Sequence, residues 1–108
     1  MNFDDVIWHD GLLQSILVAR NGQDGPAYKV RIEADVYSNA ETAERIHVAI
    51  TFGDVRGIVT IFNITEMIDN FGPGNIANGY KKGDMNYILY FCDGYVEITA
   101  GKVDIRVS

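Results

Sequence analysis

The stretch "MNYILYFCDGYVEITAGKVDIRVS", residues 85–108, decides the fold, because apolar and polar side chains alternate along it and the alternation breaks only at Asp93-Gly94 and Gly101-Lys102. A helix would repeat its apolar positions every three or four residues, so this pattern reads as strand. Asp93-Gly94 has the composition of a two-residue type I′ turn, whose positive φ angles Asp and Gly tolerate. Pairing Cys92 with Tyr95 across it sets Phe91 opposite Val96, Leu89 opposite Ile98 and Tyr87 opposite Ala100. Gly101-Lys102 suits a second turn, of type II′, with Ala100 facing Val103, Ile98 facing Ile105 and Val96 facing Val107. Both turns select the same buried face, and on the other face they place Glu97 opposite Arg106 and Thr99 opposite Asp104. A bulge at Gly101 within one longer strand is the competing reading.

Upstream, the same alternation recurs. In "AYKVRIEADVYS", residues 27–38, Tyr28, Val30, Ile32, Ala34 and Val36 fall on one side and Lys29, Arg31, Glu33 and Asp35 on the other, a strand with one wet face. Residues 46–61 read as a hairpin: Ile46, Val48, Ile50 and Phe52 go out, "GDVRG" turns, and Val59 and Ile61 return. "LLQSILVAR", residues 12–20, is bounded by Asp10-Gly11 and by "NGQDGP" and is read as a strand too. One short helix interrupts the sheet near 64–71. Asn63 can cap it with Glu66 three residues on, and Ile64, Met67, Ile68 and Phe71 make an apolar stripe ended by "GPG". Residues 72–84 read as a long loop that could hold an edge strand at Asn75 to Tyr80. The expected fold is therefore mainly β, or β-rich α+β: an antiparallel meander sheet or partly closed barrel or sandwich of six to seven strands, with one helix. Ile88, Tyr90 and Cys92 then lie opposite Leu89 and Phe91, too apolar to face water, so the helix or another copy of the chain should cover them.

The chain's 108 residues fit one domain, 1–108, with a single core. No apolar run approaches the roughly 20 residues of a membrane helix, "MNFDDV" has no basic region of a secretory signal, and one cysteine cannot form an internal disulfide. These features point to the cytoplasm. There "NIT" at 63–65, which has the form of a glycosylation acceptor, is accidental. Fifteen acids against nine Lys and Arg give a net charge of −6. Such a surface repels nucleic-acid phosphates and would attract a basic protein partner.

Candidate chemistry is sparse. His9-Asp10 resembles the metal-binding pair of HD-type phosphohydrolases, but those enzymes are all-α and use further His and Asp residues, whereas this chain has one other histidine, His47. Asp4 and Asp5 could join His9 and Asp10, yet no spacing is a recognised ligand motif, and Trp8 anchoring the core while "HDG" turns the chain is the simpler reading. Cys92 has no histidine beside it in sequence and reads as a structural thiol. "GPGNIANG" lacks the strand and helix context of a phosphate-binding loop, and paired carboxylates such as Asp4-Asp5 or Glu41 with Glu44 mean little without a pocket. No catalytic set, resident metal or cofactor follows. Tyr37, Tyr80, Tyr90 and Tyr95 escape the main core and, with Ile88, are the candidate ligand- or partner-binding residues.

Where "WHDGLLQSILV" leads into the first strand and "RIHVAITFGDVRGI" into a strand pair, the chain resembles small, mostly uncharacterised bacterial all-β families, including immunity proteins that protect cells against polymorphic toxins. The resemblance implies a stand-alone cytoplasmic domain that works by binding, and it transfers no functional residue. The expected function is a non-enzymatic protein-binding domain, an immunity-type inhibitor of a basic partner. The alternative is a small-ligand binder or enzyme with its site between the sheet and the 72–84 loop. A homodimer through Ile88, Tyr90 and Tyr95 is compatible with either.

Overall fold

Alternation becomes strand along most of the chain in the computed structural model, which describes residues 1–20, 22, 27–39, 41 and 44–108. Among the described residues six strands form: β1 (Ile7–Arg20), β2 (Tyr28–Tyr37), β3 (Arg45–Phe62), β4 (Ile76–Lys81), β5 (Asn86–Phe91) and β6 (Gly94–Val107), with one helix, α1 (Ile64–Asp69), between β3 and β4. They close a barrel in the order β1-β2-β3-β6-β5-β4, every neighbouring pair antiparallel. Apart from Gly22, the "NGQDGP" stretch that bounds the first strand lies outside the described residues.

β2 shows most simply why. Val30, Ile32, Ala34 and Val36 are buried, while Arg31 is exposed and Glu33 and Asp35 are half-buried on the other face. A period of two presents one set of side chains to the barrel interior and the other to water. Tyr28, which belongs to the inner set, is 52% exposed because it sits at the barrel mouth opposite Arg20.

Two expected hairpins are instead continuous, bent strands. β3 runs through "GDVRG" and β6 runs through Gly101-Lys102, so Ala100, Ile98 and Val96 face Val55, Ile58 and Thr60, not Val103, Ile105 and Val107. The latter three face Phe52, Ile50 and Val48. Glu97 therefore does not meet Arg106, nor Thr99 Asp104; Glu97 pairs with Lys82 at 3.0 Å and Arg106 with its own neighbour Asp104 at 3.0 Å. The bulge was the better alternative for physical reasons. Gly and Asp permit positive φ, and a bend inside a strand uses that freedom just as a turn does. Asp54 takes φ 50°, and a Cβ on Gly101 would overlap its carboxylate. Gly53 lies directly opposite Lys102, so both strands change phase at the same place. The inner set passes from Val48, Ile50 and Phe52 to Val55 and Ile58 on β3, and from Ile105 and Val103 to Ala100, Ile98 and Val96 on β6. That shared bend folds the sheet over on itself.

The hairpin between β5 and β6 forms, with its register moved by two. Cys92 and Asp93 make the turn, and Leu89 faces Val96 while Tyr87 faces Ile98. A two-residue shift preserves the faces, so the same side chains stay inside. Gly94 closes the turn at φ 137°, where a Cβ would also run into the backbone of Ile61 and Phe62.

Each end of the sheet leaves a seam. A 3-10 turn at Phe3–Asp5 brings Phe3 and Trp8 into the core, with rings 5.0 Å apart and the indole Nε1 donating to the Phe3 carbonyl. β1 then bends at Asp10, at φ 62°, and meets β4 only at Gly11 opposite Ile76. Thus "HDG" bends a strand and does not end one. At the other seam sits α1, capped as expected by Asn63 Oδ1 accepting from the Glu66 amide at 3.2 Å. Only Met67 of its apolar stripe is buried; Ile64, Ile68 and Phe71 are 50% or more exposed. The helix plugs the barrel with one side chain and covers little of the sheet. Within the 72–84 stretch the strand expected at Asn75 to Tyr80 forms as β4 and pairs along β5.

Candidate functional site

The outer face of β3, β6, β5 and β4 carries two transverse rows of side chains, set by the ladder register. One row is Ile61, Tyr95, Tyr90 and Asn78; the next is Val59, Glu97, Ile88 and Tyr80. Side chains directly opposite on a shared face stand close enough to pack. The Tyr80 and Tyr90 rings lie 6.2 Å apart and the Tyr90 and Tyr95 rings 6.4 Å apart, both pairs tilted. Ile88 is only 3% exposed because Tyr80 and Glu97 flank it and Tyr90 is two residues along the strand. The chain itself covers Ile88, so neither α1 nor a second copy is needed there. Val59 and Ile61 remain 54% and 65% exposed at the margin of the face.

Polar contacts fix this surface. Lys82 Nζ lies 3.0 Å from Glu97 Oε1, and that hydrogen bond holds the ammonium above its ordinary range. A hydrogen bond with Tyr80 likewise raises Tyr90, whose phenol stays protonated at neutral pH. The patch offers aromatic edges, three hydroxyls and one ion pair. Tyr37 stands apart, between Ile7 and Arg45, with the Arg45 guanidinium 4.9 Å over its ring.

The acidic and histidine candidates of the N-terminus do not converge. His9 and Asp10 lie 3.4 Å apart but their side chains are 75% and 52% exposed, and His9 Nδ1 is engaged by the Ala77 carbonyl. Asp4 accepts from the Lys81 amide at 2.6 Å and Asp5 from the Asn2 amide at 2.9 Å, so both work as backbone caps. Among the described residues no group of three His, Cys, Asp or Glu side chains is placed to hold a metal ion. Cys92 sits in the exposed hairpin turn near the carbonyls of Gly74 and Asn75, and burial of its thiol, then the charges of Glu66 and Asp10, push its pKa up. A thiol held neutral is a weak nucleophile.

Sequence reading missed two features. His47 on β3 stands between Asp35, 2.8 Å from Nδ1, and Glu33, 3.1 Å from Nε2, both on β2. Two carboxylates raise the His47 pKa, and the His47 hydrogen bond lowers that of Glu33, which Arg31 and Ser15 also contact. The pairing of Asp35 with His47 required a register that alternation alone does not supply. The second is an apolar cleft of about 340 Å³ between β1 and α1, lined by Leu13, Ile16, Phe62, Met67, Ile68 and Phe71. Of residues 72–84 only Asn75 reaches it. From the 72–84 stretch, Lys81 instead lines a separate hollow with Asp4, Asp5, Tyr87 and Val103.

No family model, curated protein or solved structure matches the chain.

Proposed function

We propose that the protein is a non-enzymatic binding module that engages a basic protein partner through the tyrosine face of β4, β5 and β6, as an immunity-type inhibitor does. The observation that carries this reading is the cross-strand run of Tyr80, Tyr90 and Tyr95 over a buried Ile88. Tyrosines anchored on a rigid sheet supply large contact area for little entropy, and such residues concentrate in interface hot spots. The net charge of −6 favours approach of a basic partner and supplies on-rate more than affinity. Co-purification of a basic protein from cells that naturally make the chain, lost on Tyr80→Ala with Tyr90→Ala, supports the reading. Turnover in a broad hydrolase screen, abolished by His9→Ala or Asp10→Ala, overturns it.

A second reading rests on the cleft between β1 and α1. Its volume sits at the lower end for small-molecule sites, which span about 300–1,000 Å³, and its walls suit an apolar ligand with one polar group near Asn75. Thermal stabilisation by a fatty acid series, abolished by Met67→Trp, distinguishes it from the first.

A further inference from the structure

We infer that Asn78-Gly79 is a site of spontaneous modification, at which the Gly79 nitrogen closes on the Asn78 side-chain amide and leaves a carboxylate on the tyrosine face. The Gly79 amide donates to Asn78 Oδ1 at 2.8 Å. That contact holds the side-chain carbonyl carbon against the nitrogen that attacks it, which is the positioning an intramolecular reaction needs. The residue after the attacked asparagine must also leave its nitrogen unshielded, and glycine does so for want of a Cβ. Here packing demands the glycine: a Cβ on Gly79 would run into the Leu89 side chain and the Trp8 indole. The reactive pair is therefore built into the fold.

Regular strand backbone resists the rotation that ring closure requires, but the ladder is broken at this point. Ile76 opposes Phe91 and Asn78 opposes Tyr90, so two steps along β4 meet one along β5. This is a bulge, whose extra residue, Ala77, leaves the regular pairing. Ile76 is buried as a result, and Asn78, two residues on, is exposed. The chemistry closes with water alone. The Gly79 nitrogen bonds to Asn78 Cγ, its proton passes through solvent to Nδ2, Nδ2 leaves as ammonia, and a succinimide ring remains. Water then opens either ring carbonyl, giving aspartate or isoaspartate at position 78. Both products add a negative charge beside Tyr90, and isoaspartate also adds a carbon to the main chain of β4. None of these steps requires a bound partner.

Incubation of the full chain at neutral pH, once folded and once in denaturant, followed by peptide mapping with fragmentation, tests this. Position 78 is expected to gain the mass of a single NH2-to-OH exchange, as a mixture of aspartate and isoaspartate, at least as fast in the folded chain as in the denatured one. Fragmentation reads it separately from Asn21-Gly22, the other Asn-Gly of the sequence. Conversion at position 78 in denaturant but not in the folded chain overturns the inference. Conversion to aspartate with no isoaspartate overturns it as well, since direct hydrolysis needs no ring. Asn78→Gln, whose longer side chain must close a larger and slower-forming ring, is expected to lose the conversion with an unchanged melt, because position 78 is exposed. Conversion at that position at the wild-type rate in this variant shows that the Asn78 geometry plays no part and rejects the assignment.

Discussion

His47 carries the clearest pH signature in the molecule. Its raised pKa means the folded state holds the proton more tightly than the unfolded chain, whose value is near 6.5. The stabilisation is complete below that value and is lost as pH climbs through the folded pKa above it. Glu33 acts with the opposite sign: its lowered pKa adds stability above 4.5 that disappears as pH falls through the folded value. Stability should therefore peak between these limits. The side chains are about a third exposed, so water screens the pair and the effect is a few degrees in melting midpoint, not a collapse. Melts between pH 5.5 and 9 on the wild type and on His47→Gln check this, the variant losing the alkaline decline. Asp54 offers a second residue-scale test. At φ 50° it sits where side chains other than Asn and Asp cost about 1–2 kcal/mol. Asp54→Val should lose stability of that order, whereas Asp54→Gly should hold or gain, both read by denaturant midpoint.

Among the elements, β2 was legible in full because one wet face and one dry face leave a clean record in the residues, and α1 was legible at its cap because Asn63 and Glu66 act locally. The bends of β3 and β6 were not. Gly53-Asp54 and Gly101-Lys102 supply the same backbone freedom to a turn or to a bulge, and only the pairing of the two strands with each other decides between them. Three of the candidate tyrosines, Tyr80, Tyr90 and Tyr95, did come together, since a slip of two in the β5–β6 register leaves every face unchanged. Tyr37 lies apart from these three, beside Ile7 and Arg45, because alternation says which side of its own strand a residue takes, not which strands adjoin it. Asn75 went unread for a related reason: it is 2% exposed and joins three elements at once. Its Oδ1 accepts from Leu13 N at 2.9 Å, its Nδ2 donates to the Met67 carbonyl at 3.2 Å, and its own carbonyl accepts from Cys92 N at 3.1 Å. Asn75→Ala strands buried partners on β1 and α1, so a loss of about 2–4 kcal/mol is expected from two such groups at about 1–3 each with partial relaxation. Asn75→Asp can keep the Leu13 contact and should recover part of it; denaturant unfolding of both variants gives the comparison.

At the scale of the whole molecule, closure depends on contacts between distant parts of the sequence: Gly11 with Ile76, and β3 with β6 across the shared bend. Such a topology must close long loops before its core forms, which places folding in the slow, millisecond-to-second range of small β proteins. The core is one cluster that takes side chains from all six strands, from Met67 of α1 and from Phe3 of the N-terminal turn. Opening any seam therefore exposes the same apolar surface, and the chain should unfold in a single step. Trp8 reports on this directly. It is the sole tryptophan, 2% exposed, and lies at the seam that Phe3 closes against Phe52 and Tyr87. If the barrel opens as a unit, Trp8 emission and far-ultraviolet dichroism must trace the same denaturation curve. An emission change that precedes loss of strand signal would show the N-terminal seam parting first, and Phe3→Ala, expected to cost about 3–5 kcal/mol as a buried aromatic truncation, would then widen the gap between the two curves instead of shifting both together.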